Sequence, residues 1–238
     1  MWFKQSFSLV FVLINCAYVR PDLPLKKCKI YDSQCILEST QRLLPIFAAG
    51  IPKYKVKATD PLWIGSFDSH KQDLNIAVQN STLTGVKTCQ IKKMEMTSTH
   101  LEGQMECDIT ADGQYEMKGR LLMMPLQAAG HVKVVMRQVL FNMEASIAVV
   151  TGKDGEKHWK LKKINYNYDI QGKASLNLSN LFSGNPMLNQ VLNDMLKDTP
   201  KDMITEMGNP VVARVAKTIV VNINNFFRKK PIKDLVLP

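Results

Sequence analysis

Residues Lys201–Arg228 read KDMITEMGNPVVARVAKTIVVNINNFFR. Steps of four from Met203 land on Met207, Val211, Val215, Ile219, Ile223 and Phe227, all apolar. Four residues slightly exceed one turn, so such a row runs along one side of an α-helix. Val212, Ala216 and Val220 widen the apolar face, while Asp202, Glu206, Arg214 and Lys217 fall mostly on other faces. At about 1.5 Å per residue the helix is roughly 40 Å long. Gly208-Asn209-Pro210 interrupts it. Pro210 lacks an amide donor and disfavours the α conformation at Asn209, which predicts a kink or two abutting helices. A face this long needs a cover. It is either a plain core helix or one that lines an elongated apolar cavity.

The chain ahead of this helix opens on a leader. Lys4 supplies a basic start, Phe7 to Ile14 is a short apolar run and Ala17 is a small residue at a cleavage point. That pattern reads as a secretory signal peptide over residues 1–17. The run is shorter than the roughly 20 residues a bilayer span needs. Residues 18–238 then read as one soluble, exported domain.

Export gives the cysteines their meaning. Beyond Cys16 there are four, Cys28, Cys35, Cys89 and Cys107, and an even number in an oxidising compartment suggests two disulfides. Cys28 and Cys35 enclose six residues, an easy loop to close. Cys89 and Cys107 are symmetric about Ser98. They face each other if a hairpin turns there, and are buried free thiols otherwise. Their spacing does not suit zinc, and no metal site is expected. Asn80-Ser81-Thr82 and Asn177-Leu178-Ser179 are glycosylation sequons that fit the same compartment.

The formal net charge is +10, with lysines spread through almost every segment. Export and the absence of a reading helix argue against nucleic acid, while an anionic membrane surface or a receptor stays open as a partner. Thirteen methionines suit irregular or pliable apolar space.

Ile36 to Phe47 has helical periodicity, and Lys53-Tyr54-Lys55-Val56-Lys57 alternates as a half-buried strand would. From Trp63 to about Ile170 the signals are mostly β: Leu74–Val78, Gln90–Met96, Tyr115–Met124, His131–Val150 and Trp159–Ile170, punctuated by glycines. Thr151-Gly152-Lys153-Asp154-Gly155 is a hairpin turn. Asn180–Pro186 reads as a loop and Met187–Leu196 as a helix. Helix, long antiparallel strands, helix and long helix make an α+β fold, with the sheet carrying helices on one face.

Five motifs in this order carry a resemblance over essentially the whole mature chain. They are Cys28-Lys29-Ile30-Tyr31-Asp32-Ser33-Gln34-Cys35, Gly50-Ile51-Pro52, Asp60-Pro61-Leu62, Gly113-Gln114-Tyr115-Glu116-Met117-Lys118-Gly119 with Pro125 and Gly130, and Asn180-Leu181-Phe182-Ser183-Gly184. Together they resemble the takeout and haemolymph juvenile-hormone-binding proteins of insects. The resemblance implies a long helix wrapped in a highly curved antiparallel sheet, the tubular lipid-binding plan, carrying a lipophilic molecule in an internal tunnel. The hormone-binding branch has a second disulfide in its C-terminal half. No cysteine follows Cys107 here, which places the chain nearer the takeout branch.

Nothing points to catalysis or a cofactor. Asp68-Ser69-His70 holds triad residue types as chain neighbours, whereas a triad assembles from separated positions. No nucleophile elbow or phosphate loop appears. The chain is therefore read as a non-enzyme and as a monomeric carrier. Its candidate ligand-lining residues are Met203, Met207, Val211, Val215, Ile219 and Ile223 of the last helix, joined by Trp63, Phe141 and Met143 from the strands. The alternative is a secreted protein that acts at a membrane surface or on pathogen lipids.

Overall fold

The computed structural model describes residues 23–238, apart from 72, 122–123, 182–186, 188–189 and 191–199. The leader at 1–17, most of the loop at 180–186 and most of the helical segment at 187–196 lie outside the described residues.

Two long strands set the shape. Strands β1 (Leu62–Lys71), β2 (Leu74–Thr84) and β3 (Gln90–Met96) lead into β4 (His100–Leu121) and β5 (Met124–Thr151), of 22 and 28 residues. They are followed by β6 (Lys157–Ile170) and β7 (Ala174–Leu178). The sheet is antiparallel throughout, in the order β1-β2-β4-β5-β6. The long strands change partners midway. β3 pairs with β4 over Leu101–Glu106 and β2 pairs with it over Thr110–Gly119, while β7 and β6 pair with successive halves of β5. The β4–β5 register shifts between Cys107 and Ile109, and a bulge of this kind bends a strand and increases its twist. Asp108 fixes that bend: its carboxylate accepts the Gln138 amide at 2.9 Å and Arg137 Nη1 at 3.1 Å.

Glycines that read as strand ends lie inside strands. A Cβ on Gly130 would sit 2.3 Å from the Ser179 carbonyl oxygen, and one on Gly113 3.1 Å from that of Gln79. They permit close backbone approach instead of ending a strand. The expected strand at Lys53–Lys57 is also corrected. Pro52–Tyr54 is a 3-10 turn, with Lys55 at φ 57° and a bridge between Ile51 and Val56. Pro52 sets the turn, yet the alternation still buries Tyr54 and Val56.

Helix α1 (Ser33–Ala49) starts at Asp32, whose carboxylate accepts the Cys35 amide at 3.0 Å. The C-terminal helix, α2 (Pro200–Lys229), runs unbroken through Pro210 in place of two abutting helices. Tyr168 of β6 donates its hydroxyl to the Thr205 carbonyl at 3.1 Å, one residue before the carbonyl that Pro210 cannot pair.

α2 packs against β6 and β7 on one side and against β1 on the other. Because β1 and β6 are the ends of the strand order, the helix bridges the open seam of the curved sheet. Its asparagines act as substitute strand partners. Asn222, fully buried, accepts the Lys57 amide at 3.0 Å and donates to the Lys57 carbonyl at 2.7 Å. Asn224 does the same with Leu161 on the β6 edge, at 2.8 and 3.3 Å. Facing β1, Arg214 donates to the Ile64 carbonyl and, at 3.4 Å, to that of Ser66.

One end of this assembly is closed by aromatics. Phe226 meets Tyr54 and Phe47 edge-on, and Phe227 meets Trp159. Beneath them His158 is buried between two acceptors, the Phe227 carbonyl 2.7 Å from Nδ1 and the Asp154 carboxylate 3.0 Å from Nε2. Only an imidazolium donates from both nitrogens. Burial pushes the imidazole pKa down, but the Phe227 carbonyl, Asp154 and the Lys230 backbone outweigh it and hold the value above the ordinary one. A raised folded pKa gives stability that is fully present below the unfolded value, about 6.5, and is lost as pH rises through the folded value. The thermal midpoint is therefore expected to fall on going from mildly acidic to alkaline pH. His158→Gln should flatten that part of the profile, and an unchanged slope would remove His158 as its source.

Candidate lipophilic-ligand cavity

Between α2 and the inner face of the sheet lies a cavity of about 220 Å³. On the helix it is lined from Ile204 to Val220, sixteen residues apart and so about 24 Å of helix length at about 1.5 Å per residue. A small volume spread over that length makes a slim channel. Two adjacent rows of α2 face it. Val211, Val215 and Ile219 belong to the row found by stepping in fours from Met203. Ile204, Gly208, Val212, Ala216 and Val220 form the neighbouring row. This second row includes the small Gly208 and Ala216.

Opposite the helix, Val132, Val134, Met136, Val139, Phe141 and Met143 of β5 line the channel, with Ile64 and Phe67 of β1. Alternation along β5 puts every second residue inside, with the phase resetting at the register shift. Cys89 and Cys107 also line it. The β3–β4 hairpin turns at Thr97–Thr99 and brings these two together as a disulfide; Cys28 and Cys35 are bonded as well.

Several polar groups that line the channel are engaged by the protein. Ser81 Oγ donates to the Gly65 carbonyl at 2.8 Å, Asp112 is paired with His131 at 2.6 Å, and Asn142 sits between Gln104 at 2.8 Å and Asn167 at 2.7 Å. The Tyr168 hydroxyl donates to the Thr205 carbonyl, and burial pushes its pKa up. Such a wall offers apolar contact over its length.

The matching family model, haemolymph juvenile hormone binding protein (JHBP), covers residues 8–237. The chain belongs to this family. It is 23% identical over 230 residues to the circadian clock-controlled protein daywake of Drosophila melanogaster, covering 87% of this chain and 88% of the relative. It is 23% identical over 159 residues to the juvenile hormone-binding protein of Manduca sexta, covering 64% of this chain and 67% of the relative. The crystal structure of Epiphyas postvittana Takeout 1 superposes with a TM-score of 0.83 at 28% identity, covering 90% of this chain and 100% of that one. The α+β plan of a long helix against a curved antiparallel sheet is thus the fold of this JHBP-family chain.

Of the residues singled out from sequence, Val211, Val215, Ile219, Phe141 and Met143 meet at the channel. The side chains of Met203 and Met207 lie outside the described residues. Two others are elsewhere. Trp63 is 61% exposed on the outer face, because alternation on β1 turns its neighbour Ile64 inward instead; a shift of one residue reverses the face. Ile223 packs in the closed end with Trp159 and Leu161, past the channel. Asn80 and Asn177, the sequon asparagines, are both exposed on strands. Sequence reasoning missed Ile204, the β1 residues Ile64 and Phe67, and the inward set on β5 from Val132 to Val139. The i, i+2 spacing of Val132, Val134 and Met136 was the available signal.

Proposed function

We propose that the protein is a secreted carrier that holds one lipophilic small molecule in this channel, of juvenile hormone-like isoprenoid, quinone or fatty acyl type. The observation that carries the reading is the slim, apolar-walled space along α2. It suits an extended chain and, among the described residues, presents no array of unpaired polar groups to a polar ligand. A ligand burying roughly 300 Å² of apolar surface gains about 7–8 kcal/mol at about 25 cal/mol per Å², before the costs of association. The leader at residues 1–17 and the haemolymph setting of the family support export. On this reading residues 18–238 form a single monomeric domain, glycosylated at Asn80 and Asn177, with no catalytic role.

The test is to secrete the protein from insect cells, extract it with organic solvent and identify what is released by mass spectrometry. A stoichiometric isoprenoid, quinone or fatty acyl species is expected, and its length should match the channel. An empty protein that also takes up no apolar fluorescent probe would overturn the carrier reading.

A further inference from the structure

The lysines that look dispersed along the sequence are gathered by the fold. Four short segments, 26–32, 53–57, 153–158 and 228–234, contain twelve Lys and Arg residues against four carboxylates, Asp32, Asp154, Glu156 and Asp234. These segments therefore hold eight of the ten net positive charges of the chain. They converge at the closed end. Asn222 and Asn225 of α2 hold the backbone of Lys57 and Lys55. Lys27 donates to the Lys233 carbonyl at 2.8 Å, the Leu237 amide donates to the Cys28 carbonyl, and Lys233 meets Glu156 at 2.6 Å. The Phe227 carbonyl is tied to His158 beside the 153–158 turn.

Cations in the last turn of a helix are ordinary partners of its dipole, which accounts for Arg228 and Lys229. It does not account for Lys26, Lys27 and Lys29, or for Lys53, Lys55 and Lys57, which lie outside helical last turns other than a single 3-10 turn. Lys53, Lys55, Lys57 and Lys229 are exposed and meet no carboxylate among the described residues. The same end presents Tyr31, 71% exposed, and Leu237, 44% exposed. We infer that this basic end docks the protein onto an anionic phospholipid membrane, the lysines meeting lipid headgroups and Tyr31 and Leu237 entering the interface. Clustered cations beside exposed apolar side chains fit a charged surface over an apolar interior. A soluble polyanion would use only the charge. The attachment proposed is peripheral, and among the described residues no helix is long and apolar enough to cross a membrane. It stands whether or not the channel carries cargo.

Sedimentation with vesicles of equal parts phosphatidylcholine and phosphatidylserine tests it. Each lysine near such a surface contributes about fivefold in partitioning, so the triple variant Lys53→Gln, Lys55→Gln, Lys57→Gln should bind about a hundredfold more weakly. A control with the same change in net charge, Lys133→Gln, Lys163→Gln, Lys173→Gln, should stay within about threefold of the parent, because charges beyond a screening length contribute little. Binding should fall as salt rises from about 0.1 M to about 1 M, where the screening length shortens from about 10 Å to about 3 Å. Tyr31→Ser with Leu237→Ser should weaken vesicle binding while leaving retention on a polyanionic resin unchanged. Equal loss in both lysine triples, no binding to the acidic vesicles, or binding to the resin alone would each overturn the proposal.

Discussion

Filling the channel at Val215 with tryptophan is expected to abolish uptake of apolar ligands and leave the fold standing. Val215 sits near the middle of the lining on α2, with Val211 one turn before it and Ile219 one turn after. An indole there divides the space. If it displaces half of a ligand that buries roughly 300 Å², the lost contact is worth nearly 4 kcal/mol at about 25 cal/mol per Å², or a few hundredfold in Kd. The stability readout separates an open channel from a filled core. In a filled core, a residue this large forces its neighbours off their rotamers and costs about 1–3 kcal/mol. In an open channel it gains packing contacts, and the thermal midpoint should hold or rise. Val221→Trp is the companion variant, since Val221 lies on the same helix and is 46% exposed. It should change neither measurement. Undiminished probe uptake by Val215→Trp, or a drop in its thermal midpoint matching that of a packed core, would count against a ligand channel along α2.

The helix and its apolar face were readable because a repeat of about 3.6 residues is written directly in the order of side chains. What could not be read was how the face divides. The row from Met203 predicts the side of the helix that is covered, but the neighbouring row through Gly208 and Ala216 lines the space as well, and only the position of the sheet edges decides that. The same holds at the sheet. The patterns on β3 and β6 have the right periodicity for their boundaries to be found, within two residues for β6. The stretch His100–Gly113 is too polar to stand out, though it forms the first half of β4. Trp63 reads from sequence as a strand aromatic that could face the last helix, but strand phase determines the face and puts Ile64 there instead. The basic end was invisible because its lysines come from four segments that only the fold unites. His158 was equally hidden, since nothing in the order of residues brings Phe227 beside Asp154.

The asparagines of α2 show the same limit most sharply, and they carry the largest expected loss of stability. In a helical pattern, Asn222, Asn224 and Asn225 read as polar interruptions of an apolar face. In the fold, Asn222 is fully buried and its side-chain amide takes both hydrogen bonds of the Lys57 backbone. Asn222→Ala removes both at once. It leaves an amide and a carbonyl without partners where the helix meets the extended chain, and an unpaired buried group costs about 1–3 kcal/mol. The expected loss is about 2–4 kcal/mol, since Lys57 lies near the surface and water recovers part of the cost. For a chain of this size that lowers the thermal midpoint by about 5–12 °C. Asn222→Asp separates hydrogen bonding from shape. The carboxylate still accepts the Lys57 amide but cannot donate to its carbonyl, and it places a charge in a buried site. It should be no more stable than the alanine variant. Asn225→Ala is the internal comparison, because the two bonds of Asn225, donated to the Lys55 carbonyl at 2.9 Å and accepted from Arg228 at 2.8 Å, are both exposed. Its cost should stay near 1 kcal/mol or below, because water replaces an exposed partner. Equal losses at Asn222 and Asn225 would mean that the buried amide does not anchor the helix. A loss confined to Asn222 would identify the Lys57 backbone as the anchor of α2 at the closed end, leaving Arg214 and Tyr168 to hold the helix across the seam beside the channel.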